Sequence, residues 1–150
     1  MARDGARRPA FFDTNVILYC DDSRQPEKQT RAIELVKKYQ RASLATVSLQ
    51  VLQEYFVAAT RKLGVDSGIA QRKVELLARM RVVRLAEDDV IAAIEFHRLN
   101  RISFWDALIV QAARTASVEI LFSEDLQSGA VLGGVRVVNP FAAGPGRDEV

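Results

Sequence analysis

The sequence predicts an α/β fold, with a central, mainly parallel sheet flanked by helices. Two observations carry this. Short apolar runs bounded by turn residues alternate with longer segments of helical spacing. The 150 residues are also 49% apolar and 27% charged, the balance of a chain that buries a core without covalent staples.

Each element has a local reason. Pro9–Phe12 is an apolar run ended by Asp13-Thr14-Asn15. Pro26–Gln40 reads as a helix with Ile33, Leu35 and Val36 inward, and Ser43–Val47 as the second strand. Ser48–Lys62 is a helix stopped by Gly64, and Ser67–Met80 is another. Val82–Leu85 is a strand, and Glu87–Leu99 a helix marked by Val90, Ile91 and Ile94. Ser103–Ser117 is the last helix, followed by the strands Ile120–Phe122 and Val135–Val138. The expectation is one domain over 1–150 with an ordered core at about 10–141. Met1–Arg8 is polar and basic, and Ala142–Val150 carries Gly144, Pro145 and Gly146, so both ends are expected to be loose.

Composition excludes several chemistries. The single cysteine, Cys20, cannot form an internal disulfide, and one histidine, His97, cannot build a Cys/His zinc site. Any metal must be held by carboxylates. A net charge of +2 makes no general argument for nucleic acid, although segregated charge can hide in such a balance. The apolar run behind the basic start ends at Asp13, too early for a signal-peptide core, and no apolar run reaches membrane-span length. A cytoplasmic protein is expected.

In parallel α/β sheets, ligand sites lie beyond the carboxyl ends of the strands. Asp13 follows the first strand, and Asp125 follows Ile120–Phe122 within Ser123-Glu124-Asp125. Asp106 opens the Ser103 helix, and Glu54 lies inside the Ser48 helix. Each acid also suits a plain local role: Asp13 as a helix cap, Asp106 in a Ser-x-x-Asp capping box, Asp125 as a turn residue, Glu54 as a solvated helix residue. At about 100° per residue, Leu49, Val51, Leu52, Tyr55, Phe56, Ala58 and Ala59 span one apolar arc, and Glu54 falls roughly 40° outside it. That boundary position lets a carboxylate lean over a cleft.

Together these pieces resemble the PIN-domain nucleases, and more closely the VapC-type toxins of type II toxin–antitoxin pairs. The matching residues are Asp13-Thr14-Asn15, Glu54 in Gln53-Glu54-Tyr55-Phe56, Asp106-Ala107 leading to Ala112-Ala113, and Ser123-Glu124-Asp125-Leu126. The resemblance spans about residues 10–141 and implies a PIN-like fold. It implies an endoribonuclease that uses Mg²⁺, with Mn²⁺ able to substitute. It also implies an RNA substrate, a small antitoxin partner and a homodimer. Carried over, Asp13, Glu54, Asp106 and Asp125 are the catalytic and metal-binding acids, supported by Thr14, Asn15 and Ser123. Glu124 competes with Asp125 for the last place, and Asp125 is preferred.

Four carboxylates in one cleft repel one another unless a cation joins them. Magnesium takes hard oxygen ligands and keeps several waters. Asp13 and Asp106 are expected to bind the principal ion and Asp125 to complete its shell. Glu54 would hold a metal-bound water, or a second ion once substrate adds its phosphate. Arg61, Lys62, Arg98, Arg101 and Arg114 are the candidate RNA contacts. Trp105 is expected to pack into the core, with base stacking as its other role, and His97 to be a surface or structural residue. Ile69, Val74, Leu77 and Met80 suit either a dimer contact or packing within the domain. Two rival readings use the same pattern. An aspartate-based phosphoryl-transfer protein lacks its partners: Asn15 stands where a phosphatase wants a second Asp, and Asn139-Pro140 follows Val138 where a receiver wants a lysine. The other rival is a catalytically weak PIN-fold module that binds nucleic acid or protein.

Overall fold

The computed structural model describes residues 8–142. Apart from Arg8 and Ala142, the ends expected to be loose lie outside the described residues. The elements are β1 (Ala10–Phe12), α1 (Thr14–Tyr19), α2 (Pro26–Arg41), β2 (Ala45–Ser48), α3 (Leu49–Arg61) and α4 (Ser67–Leu77). They continue with β3 (Arg81–Val83), α5 (Glu87–Asn100), α6 (Phe104–Thr115), β4 (Ile120–Phe122), β5 (Val131–Leu132) and β6 (Val135–Val138). The six strands form one sheet in the order β3-β2-β1-β4-β6-β5. All neighbours pair in parallel except β5 and β6.

The chain builds β1, β2 and β3 outward on one side, then crosses back to place β4 on the other side of β1. The gap beyond the carboxyl ends of β1 and β4 is therefore the topological switch point, where helices diverge and a cleft opens. Both strands are buried along their whole length, as unbroken apolar runs in a sheet covered on two faces must be. Phe12 stacks on Phe122 at 5.2 Å, and both meet the edge of Tyr39 from α2, at 5.6 and 5.4 Å. This cluster ties the two site-bearing strands to the helix layer.

Helix ends follow local chemistry. Pro26 opens α2, where its missing N–H costs nothing. Ser48 ends β2 and caps α3, its hydroxyl accepting from the Val51 N–H at 3.3 Å. Ser103 caps α6 in the same way.

Some sequence expectations change. The Asp13-Thr14-Asn15 stretch, read as the stop of a strand, starts the six-residue α1; a helix that short has too few residues to display its period. The two-residue β5 escaped for the same reason. Helix α4 ends at Leu77, and β3 starts one residue before the expected Val82. Leu77 is buried, Val74 and Met80 pack against the core, and Ile69 alone of those four faces solvent. Trp105, expected in the core, is 63% exposed, because it sits in the first turn of α6 beyond the layer that Ala107 and Leu108 close. Among the described residues no helix is long and apolar enough to cross a membrane.

Phe12 is fully buried at the centre of the aromatic cluster. Phe12→Ala is expected to lower stability by about 3–5 kcal/mol, read as a reduced urea midpoint with an unchanged slope.

Candidate active site

Asp13 follows β1 and caps α1. Its N–H donates to the Phe122 carbonyl of β4 at 2.9 Å, so the two strands stay joined up to the site. Its side chain is 5% exposed and is held by three neutral donors. The Thr14 N–H donates to Oδ1 at 2.7 Å, the Ser123 hydroxyl to Oδ2 at 2.7 Å, and the Asn15 amide to Oδ2 at 3.4 Å. The cap uses Oδ1, while Oδ2 takes the Ser123 and Asn15 bonds.

Burial pushes the Asp13 carboxyl up to about 6. Its bonds to Ser123 and Thr14 oppose that, while the charges of Asp106 and Glu54 push it further. The negative charges of Asp106 and Glu54 are thus felt at Asp13.

Glu54 is exposed on α3, where the Thr14 hydroxyl donates to its Oε1 at 2.9 Å and Gln50 reaches the same oxygen at 3.4 Å. The buried arc of α3 is narrower than the sequence suggests: Val51, Leu52, Tyr55 and Ala59 face inward, whereas Leu49 and Phe56 are exposed. Sequence reasoning missed Gln50. Its amide also donates to the Trp105 carbonyl at 3.2 Å, linking α3 to the first turn of α6. The i,i+4 spacing to Glu54 was the available signal.

Asp106 stands in that turn. The Ser103 hydroxyl accepts its N–H at 3.0 Å, which is half of a capping box. Asp125 lies beyond β4, with its Oδ2 accepting from Asn15 at 3.0 Å. Its neighbour Glu124 turns away, to Lys28 at 2.6 Å and the Tyr19 hydroxyl at 2.7 Å. Of the two adjacent acids, Asp125 is the one that lines the groove.

A groove of about 640 Å³ is lined by Thr14, Asn15, Glu54, Asp125, Arg61 and Lys62, among others. Arg61 lies seven residues beyond Glu54, on nearly the same stripe of α3 and roughly 10 Å along it. Arg98 and Arg101 are exposed at the end of α5, by the turn that leads into α6. Arg114 stands farther along α6. It lies two turns past Asp106, roughly 12 Å along α6, bonds Gln111, and packs against Gly133. His97 contacts the Ile102 carbonyl and pins the turn between α5 and α6, a structural role.

Among the described residues, no three Asp, Glu, His or Cys side chains stand close enough to enclose an ion by themselves. The four-acid convergence is thus looser than the sequence reading: Asp13 has Asp106 and Glu54 as electrostatic neighbours, and Asp125 joins through Asn15. The donor set still fits a hard cation. Its atoms are carboxylate and hydroxyl oxygens, its buried carboxylate is held by neutral groups, and Mg²⁺ needs only one or two carboxylates with water filling the rest.

The PIN domain family model matches residues 10–128. The chain belongs to the PIN domain family.

Solved structures show the same fold for this PIN domain. A toxin–antitoxin complex from Klebsiella pneumoniae aligns at a TM-score of 0.66 and 20% identity, over 89% of this chain and 99% of that one. VapC20 from Mycobacterium tuberculosis, described as a sarcin–ricin loop cleaving toxin, aligns at 0.58 and 22%, over 77% and 91%. VapBC2 from Rickettsia felis, bound to a DNA fragment from its promoter, aligns at 0.59 and 15%, over 85% and 96%. No curated protein sequence matches the chain.

The raised Asp13 carboxyl sets a pH dependence. A carboxyl that binds its proton more tightly when folded favours the folded state below its unfolded value near 3.8, and this stability is lost as pH rises through about 6. In EDTA the loss is expected to be on the order of 3 kcal/mol. Asp13→Asn is expected to flatten that slope and to be more stable than the parent at pH 7, by urea denaturation.

Proposed function

We propose that this PIN domain is a metal-dependent endoribonuclease, the toxin of a toxin–antitoxin pair. One observation carries the reading: the buried Asp13 carboxylate at the switch point, held by neutral donors and flanked by two further negative charges. A site that concentrates negative charge at the mouth of a cleft, and orients it without neutralising it, is built for a cation. The PIN family match and the likeness to toxins of toxin–antitoxin pairs support the choice of RNA and of an antitoxin partner. The homodimer expected from the resemblance belongs to the same proposal.

Asp13 and Asp106 would hold Mg²⁺ or Mn²⁺, with Asp125 and Glu54 at the margin of the same cleft. When bound, the ion supplies charge neutralisation at the phosphate and lowers the pKa of water for attack on the phosphodiester. The chain's own residues do the rest. Ser123 and Thr14 hold the two Asp13 oxygens in place. The Thr14 hydroxyl fixes Glu54, and Asn15 spans Asp13 and Asp125. Arg61 and Lys62, farther along the groove, attract the RNA backbone on either side of the cut. Arg98 and Arg101 are proposed as outlying contacts. Arg114, at the far end of α6, is not carried forward.

A second reading, a binding module with weak catalysis, is favoured by the absence among the described residues of a closed three-ligand cluster. Cleavage separates the two. The parent is expected to cut RNA with Mg²⁺ and to stop in EDTA. Asp13→Asn and Asp106→Asn should each lower the rate roughly 100-fold or more, with RNA binding kept. A parent that binds RNA yet cuts no faster with Mg²⁺ than with EDTA favours the binding module.

The bases make a separate prediction. Arg61→Ala and Lys62→Ala should each weaken RNA binding and lower the slope of log K against log salt by about one. Metal binding should be unchanged in both.

A further inference from the structure

The sequence places two acids side by side after β4, and the structure gives them different tasks. Asp125 faces Asn15, while Glu124 bonds Tyr19 of α1 and Lys28 of α2. Its Oε2 meets the Lys28 ammonium at 2.6 Å and its Oε1 accepts from the Tyr19 hydroxyl at 2.7 Å. Lys28 also donates to the Tyr19 hydroxyl at 3.3 Å. The ammonium lies 4.9 Å from the Tyr19 ring centroid and 5.7 Å from that of Phe141. Tyr19 and Phe141 in turn meet edge to face at 4.9 Å. The side chains of Lys28 and Glu124 are 36% and 25% exposed, so the pair is partly shielded and held from several sides.

The consequence runs through one amide. The Glu124 N–H donates to the Asn15 Oδ1 at 3.2 Å. An amide whose oxygen is committed to a donor must present its NH₂ the other way. That NH₂ is the group that reaches Asp125 Oδ2 at 3.0 Å and Asp13 Oδ2 at 3.4 Å. Releasing Glu124 would free the turn, and Asn15 would lose the partner that fixes its orientation. Ser123, the residue before Glu124, donates to the same Oδ2 of Asp13.

We propose that Lys28 and Tyr19 are positioning residues for the site: by fastening Glu124 they fix the turn after β4 and orient Asn15, which aligns Asp125 with Asp13. Glu124 is then an anchor and not a ligand. The metal consequence rests on the function proposed above, whereas the positioning itself does not.

The test uses the full chain with Lys28→Met, Tyr19→Phe, Lys28→Arg and Glu124→Gln. In EDTA, amide hydrogen exchange at Glu124 is expected to rise about tenfold in Lys28→Met and less in Tyr19→Phe, while core amides of β1 and β4 stay as in the parent. Titration with Mn²⁺, followed by its electron paramagnetic resonance, should show Kd raised about tenfold in Lys28→Met and in Glu124→Gln alike, with Lys28→Arg close to the parent. Unchanged exchange at Glu124, or exchange raised equally throughout the core, overturns the proposal, the latter by making the cluster a stabilising contact only. Mn²⁺ affinity lost in Glu124→Gln but kept in Lys28→Met also overturns it, because Glu124 would then be a ligand. A parent that binds no Mn²⁺ overturns the metal reading instead, and the exchange result alone then decides the positioning.

Discussion

A carboxylate buried at the end of the central strand is the constraint around which this molecule is arranged. Asp13 has nowhere to go: its backbone N–H joins β1 to β4, its side chain caps α1, and the strand behind it is buried throughout. Burial opposes its charge, and the neighbouring acids oppose it further. Three donors offset part of that opposition, and all three are neutral. Each comes from a residue next to a site acid in sequence or in the sheet, which makes the site a product of the strand ends themselves.

The remaining acids are braced by the same kind of contact. Thr14 reaches Glu54, Asn15 reaches Asp125, and Ser103 steadies the backbone of Asp106. Neutral donors orient a carboxylate without cancelling its charge, so the cleft keeps its negative potential. Cationic groups are placed apart from it: Arg61 and Lys62 farther down the groove, Lys28 outside on Glu124. That separation suits the cation site proposed above, since a lysine among the acids would take the place of the ion.

Much of the fold was legible in the chain. The apolar runs of β1, β4 and β6 and the caps Ser48 and Ser103 locate their elements within a residue or two. The four acids stand out because three follow strand ends or open a helix and the fourth borders an apolar arc. The misses have physical causes. Helix α1 and strand β5 are shorter than the period that would announce them. Trp105 is apolar in type but lies beyond the packed layer of its helix, and only the placement of α6 reveals that. Arg114 shares α6 with Asp106, but it bonds Gln111 and packs against Gly133 two turns farther along.

By itself, then, the sequence determined the alternation of strands and helices and the parallel sheet, and it singled out four acids as candidates. These depend on residue type and on spacing within one element. The tertiary structure alone decided which of Glu124 and Asp125 faces the cleft, how Asn15 turns its amide, and which arginines border the groove. Those depend on contacts between residues far apart in the chain, such as Asn15 with Asp125 and Lys28 with Glu124. Local periodicity carries no information about such pairs; the crossover that sets β4 beside β1 creates them.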